Sequence, residues 1–149
     1  MKRSLLLAWA LLATLGAAWA VDDKVADEDK KFEGTWVVTM MEVGGQKVPE
    51  QAFAEMTFTF KGKKYEQKVG ETLVEGGTQD LDPSKTPKNM DINVTDGQTK
   101  GKKQLAIYEI DGDKAKICAA DHDDKERPSK FETKEGSKNM IFELKRKKD

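Results

Sequence analysis

From Gly34 onward the chain runs in short alternations of apolar and polar residues, each broken by Gly, Asp, Asn or Pro. Period-two alternation places every second side chain on one face, so the pattern predicts an all-β sandwich or barrel. In the first strand, Thr35 to Val43, Trp36, Val38 and Met40 share a face, and Gly44-Gly45 ends the run. Pro49 suits the first turn of a short helix over Glu50 to Met56. Thr57-Phe58-Thr59-Phe60 then sets both phenylalanines on one side. Gly62-Lys63 fits a two-residue type II′ turn, with Gly at the first central position. That register places Phe60 opposite Tyr65, Phe58 opposite Gln67, and Lys61 opposite Lys64, the last an unfavourable like-charge pair. Thr72 to Leu81 continues as a strand in which Gly76-Gly77 marks a bend or bulge. The loop Asp82 to Lys88 holds Pro83 and Pro87, and Met90, Ile92 and Val94 then alternate with Asp91, Asn93 and Thr95.

The hairpin Gln104 to Ala120 is specified twice over. A type II′ turn at Gly112-Asp113 pairs Ile110 with Ala115, Tyr108 with Ile117 and Ala106 with Ala119 on one face. The same register pairs Asp111 with Lys114 and Glu109 with Lys116 on the other, so apolar and charge patterns agree. It also sets Ile107 beside Cys118 on the outer face, which implies a partial cover there. Asp121 to Pro128 reads as a polar loop, and Ser129 to Thr133 as a short strand carrying Phe131. The final strand is Asn139 to Arg146, with Met140, Phe142 and Leu144 inward. The total is eight or nine strands with one short helix, and eight strands can close around one small ligand.

The N-terminal stretch has a different texture. Lys2 and Arg3 precede an uncharged apolar run from Leu5 to Leu15, followed by Gly16-Ala17-Ala18-Trp19-Ala20. This is the layout of a cleavable secretory signal peptide, residues 1–20, cut after Ala20. The apolar run is short for a membrane span, which needs about 20 residues, and no cysteine near the site offers a lipid anchor. Residues 21–31 are charge-rich without apolar periodicity and read as a flexible leader. The domain occupies 32–147, with 148–149 as a tail. Removing residues 1–20 leaves 24 basic and 27 acidic side chains, well interspersed, so nucleic acid is not an expected partner. Cys118 is the only cysteine. The domain therefore relies on its core rather than on an internal disulfide, and a monomer is expected.

Gly34-Thr35-Trp36 at the first strand resembles the Gly-x-Trp of lipocalins. There the Trp closes one barrel end and an Arg from the chain's end packs across it. The resemblance gives Gly34, Trp36 and Arg146 that structural role, through a cation–π contact and guanidinium hydrogen bonds to carbonyls. Over about residues 31–146 the chain also resembles a family of small, often secreted lipocalin-like domains found mainly in planctomycete bacteria. The matching stretches are Glu33 to Trp36, Phe60 to Tyr65, Leu81 to Lys88, Ile107 to Asp113, Ile117-Cys118, and Glu126-Arg127-Pro128 before Phe131. The resemblance implies a lipocalin-like antiparallel up-and-down barrel in an extracytoplasmic setting, secreted or periplasmic. It implies no activity and no catalytic residues.

Candidate chemistry is sparse. Asp121-His122-Asp123-Asp124 is the one stretch that resembles metal ligands, but a zinc site takes four ligands and calcium needs several converging oxygens. The run reads as a solvated loop, with no metal or cofactor. Ser84, Ser129 and Ser137 sit near loops or strand ends without a nucleophile-elbow motif, and no catalytic constellation is visible, so an enzyme is not expected. The inward candidates for a ligand-binding interior are Trp36, Val38, Met40, Phe58, Phe60, Tyr65, Met90, Ile92, Tyr108, Ile117, Phe131 and Phe142. Two function classes follow. One is an exported protein holding a small apolar or amphipathic ligand in the barrel. The other is a non-catalytic module with a filled barrel that meets a protein or cell-envelope partner through its loops. N-terminal sequencing of the exported product is expected to begin at Val21; an intact Met1 would contradict the export signal.

Overall fold

The computed structural model describes residues 17–149, with side chains from Asp23 onward. Met1 to Gly16, the greater part of the expected signal peptide, lie outside the described residues. A helix, α1 (Ala17–Phe32), is followed by β1 (Gly34–Val43), β2 (Gln46–Lys47), β3 (Met56–Lys61), β4 (Lys64–Val69) and β5 (Thr72–Asp82). The chain continues through β6 (Lys88–Gly97), β7 (Lys103–Asp111), β8 (Lys114–Ala119) and β9 (Met140–Arg146). Neighbours pair antiparallel in chain order, and β9 returns to pair with β1. Eight strands thus close an up-and-down barrel, and β2 is a two-residue addition to β1. Closure pairs each barrel strand on both sides and removes exposed edges.

Both glycine-led hairpins form as their sequences require. Gly62 and Gly112 each have φ near +57°, whereas Lys63 and Asp113 do not take positive φ, as a type II′ turn demands. Phe60 pairs with Tyr65 and Phe58 with Gln67, with Lys61 facing Lys64. Ile110, Tyr108 and Ala106 pair with Ala115, Ile117 and Ala119. The expected bulge at Gly76-Gly77 is present as a register shift against β6, and a Cβ on Gly77 would collide with the Asn93 carbonyl.

Four expectations need correction. The short helix over Glu50 to Met56 contracts to one 3-10 turn, Glu50–Ala52, because Phe53 turns into the core and Met56 already begins β3. Met40 does not face the interior. β1 bulges at Thr39, between the pairs Val38–Leu144 and Met40–Glu143, so the alternation inverts and Met41 points inward opposite Phe142. Ser129 to Thr133 is not a strand, because β8 is already flanked by β7 and β9. Phe131 instead packs outside the barrel with Met40 against the buried cluster Ile107, Cys118 and Ile141. Finally, residues 21–31 lie within α1 rather than in a loose leader. The helix runs through the expected cleavage point, and cleavage there would leave the packed turn from Glu28 to Phe32 in place.

That turn plugs one end of the barrel. Phe32 is fully buried and meets Trp36, Phe60 and Tyr108 with ring centroids 6.2, 5.0 and 5.4 Å away. Trp36 Nε1 donates to the Phe32 carbonyl at 2.8 Å. The plug carries an acid, Glu28, only 4% exposed. Its carboxylate accepts from Lys31 Nζ at 2.6 Å, Lys88 Nζ at 3.1 Å and the Tyr108 hydroxyl at 2.9 Å. Burial pushes the Glu28 carboxyl up, but these donors outweigh it and keep the group below the usual carboxylate range.

Arg146 seals the outside of this end. Its guanidinium lies 4.3 Å from the Trp36 ring centroid, donates to the Lys31 carbonyl at 2.6 Å, and also bonds the Glu33 carbonyl. Its Nε reaches Asp113 at 3.1 Å. Gly34, at φ +113°, leaves room for it, since a Cβ there would sit 3.3 Å from a guanidinium nitrogen. Arg146→Ala is expected to cost about 2 kcal/mol of stability, seen as a lower urea midpoint at unchanged slope. Arg146→Lys should recover less than half of it, because an ammonium cannot stack and bond two carbonyls together. A wild-type midpoint for Arg146→Ala would contradict this role.

Candidate functional site

The barrel interior divides into a packed end and an open one. Trp36, Val38 and Tyr108, with Phe32 and Leu144, belong to the buried core around the plug. Towards the opposite end a cavity of about 230 Å³ remains. Of the residues expected inside, Phe58, Phe60, Tyr65, Met90, Ile92, Ile117 and Phe142 line it, joined by Met41, Ala119 and Met140. Phe58 meets Phe142 edge-on, with centroids 5.3 Å apart. Met40 and Phe131 lie outside the barrel. Val74 lines the cavity and is 40% exposed, so the cavity reaches the surface at the β4–β5 hairpin. Val69 and Leu73 on the same hairpin are also exposed.

The chemistry of the cavity gathers on one carboxylate. Glu75 sits on β5 beside the Gly76-Gly77 bulge and is 8% exposed. Its Oε1 accepts from the Tyr65 hydroxyl at 2.7 Å, and its Oε2 from the Thr99 hydroxyl at 2.6 Å. His122 Nε2 lies 3.0 Å from the same Oε2. A carboxylate only accepts, so in this contact Nε2 is the donor. Burial first, and then the neighbouring Glu75, raise the Tyr65 phenol far above its ordinary value. Tyr65 therefore remains a donor near neutral pH.

Loop backbone puts His122 in place. Asp123 takes φ +63°, its N–H donates to the Lys103 carbonyl at 2.7 Å, and Lys103 N–H donates to the Asp123 carboxylate at 3.2 Å. His122 N–H bonds Asp121 Oδ1 at 2.9 Å. These contacts pin the loop to the start of β7 and turn the imidazole over the barrel mouth. The Asp121-His122-Asp123-Asp124 run is thus not uniformly solvated: Asp123 and Asp124 are exposed, whereas His122 is drawn onto Glu75. Among the described residues no group of three or more His, Cys, Asp or Glu side chains converges as metal ligands. Cys118 lies on the outer face, fully buried, with its thiol pushed up by burial to about 11, a value that leaves little thiolate near neutrality.

Glutamines complete the polar lining. Gln104 Nε2 donates to the Ala120 carbonyl at 3.1 Å, and Gln67 Nε2 lies 3.2 Å from Met56 Sδ. Gln79, 1% exposed, donates from Nε2 to the Gly62 carbonyl at 2.7 Å, while its Oε1 is buried without a partner. Sequence reasoning missed Glu75, Gln79, Gln104 and Thr99 as lining residues. One signal was available for three of them, and Gln104 simply continues the inward set Ile110, Tyr108 and Ala106. Alternation counted back from Leu81 passes through Gln79 and Gly77 to Glu75, so both polar residues stand at inward positions. Thr99 and His122 are carried by loops and follow no period.

No protein-family model, curated protein sequence or solved structure matches the chain.

Proposed function

We propose that this chain is an exported, non-catalytic binding protein that holds a small apolar or amphipathic ligand in the open half of its barrel. The cavity carries this reading. At about 230 Å³ it is larger than a cavity of about 150 Å³ that takes benzene. Apolar side chains make up more than half of its lining and a cluster of polar groups gathers on Glu75, a make-up that suits a small-molecule site. The layout of residues 1–20 supports export, and the Trp36–Arg146 closure supports the resemblance to lipocalin-like domains. A module that works only through its loops has no use for an interior space, so the cavity weighs against that alternative.

A fluorescent apolar dye is expected to bind saturably at micromolar concentration. Native mass spectrometry of protein from its own host should show a bound small molecule. Ala119 is buried and lines the cavity, so Ala119→Phe should fill space and weaken dye binding by about tenfold or more, with folding checked by thermal melt. Absence of both dye binding and a co-purified ligand in the wild-type protein would overturn the reading.

A further inference from the structure

The polar groups of this cavity are mismatched in a way that selects the head group of its ligand. Among the described residues, Glu75 is the one carboxylate that lines the cavity, and no Lys or Arg lines it. A carboxylate offers about four acceptor positions on its two oxygens. Oε2 uses two of these, on Thr99 and His122, and Oε1 uses one, on Tyr65. One position on Oε1 is therefore open. That position calls for a donor, and it belongs to a carboxylate only 8% exposed, where charge–charge interactions are less screened than in water.

We propose that the ligand is a small amphipathic amine, whose ammonium donates to Glu75 while its hydrocarbon body lies against Phe58, Ile117 and Phe142. This rests on the reading of the cavity as a ligand site and narrows it to one chemical class. An ammonium supplies the missing donor and compensates the buried charge in one group. A fatty-acid carboxylate would bring a second negative charge beside Glu75 and leave its open position unfilled, a repulsive arrangement that excludes it. An alcohol supplies a donor without the charge and ranks between the two. Size follows from volume. If about 150 Å³ accommodates the six carbons of benzene, about 230 Å³ accommodates roughly nine heavy atoms, the size of octylamine.

Titration calorimetry with octylamine, octanol and octanoate at neutral pH tests the proposal, with the dye as reference. Octylamine is expected to bind at least about tenfold tighter than octanol, and octanoate not to bind measurably. Glu75→Gln keeps a side chain of the same shape, and should bring octylamine down to the affinity of octanol, with folding checked by thermal melt. Binding of the alcohol and the dye with no preference for the amine, or tighter binding of octanoate, would overturn the amine assignment and leave the ligand site standing. Failure of all three ligands and the dye would instead remove the site itself. The comparison of three head groups on the wild-type protein stands even if Glu75→Gln folds poorly.

Discussion

A closed barrel must be stopped at one end if the other is to stay open, and here the stop is built around the contact of Arg146 with Trp36. The guanidinium covers the indole and bonds the carbonyls of Lys31 and Glu33, so the last strand is tied to the residues that enter the first. The same carbonyls terminate α1. Arg146 thereby adds a tie between β9 and the end of α1 to the backbone ladder that closes β9 on β1. With Phe32, Trp36, Phe60 and Tyr108 packed together, that end has no space for a ligand. The remaining volume is displaced to the opposite mouth.

The two ends solve the same electrostatic problem differently. Each buries a glutamate that receives a tyrosine hydroxyl. At the plug, Glu28 also has two ammonium groups, Lys31 and Lys88, and its charge is compensated within the fold. At the mouth, Glu75 has a threonine hydroxyl and an imidazole in addition to Tyr65, but no Lys or Arg. Isolated buried charge is costly unless it is paired. The first arrangement carries two permanent cations of its own, whereas the second has only hydroxyls and an imidazole, which is where the proposed amine would add its charge.

The strand pattern was most legible where two signals coincided. Along β7 and β8 the apolar pairs and the opposite-charge pairs agree on one register, and glycine at the first central position of each tight turn sets the phase. Legibility failed where the period was broken or where an acid stood on the buried side. One extra residue, Thr39, exchanges Met40 for Met41 in the interior, and nothing in the composition of β1 announces it. Residues 21–31 looked unstructured because Glu28 and Asp29 occupy buried helix positions normally held by apolar residues. Glu75 was hidden for the same reason. A charged residue in a strand is read as outward, and only its distance from Leu81 shows that it points in. The half of the barrel that holds the cavity was thus harder to read than the packed half, because several of its inward positions are polar.

The division of the barrel into a packed half and an accessible half is the central claim, and its methionines report on it directly. Met41, Met90 and Met140 line the cavity, whereas Met40 lies outside the barrel wall. Xenon enters apolar cavities of this size, and methyl NMR of methionine-labelled protein under xenon pressure reads each site separately. The account predicts saturable shifts of the Met41, Met90 and Met140 methyls with Met40 unmoved. No shift at any of the three, or an equal shift at Met40, would contradict it.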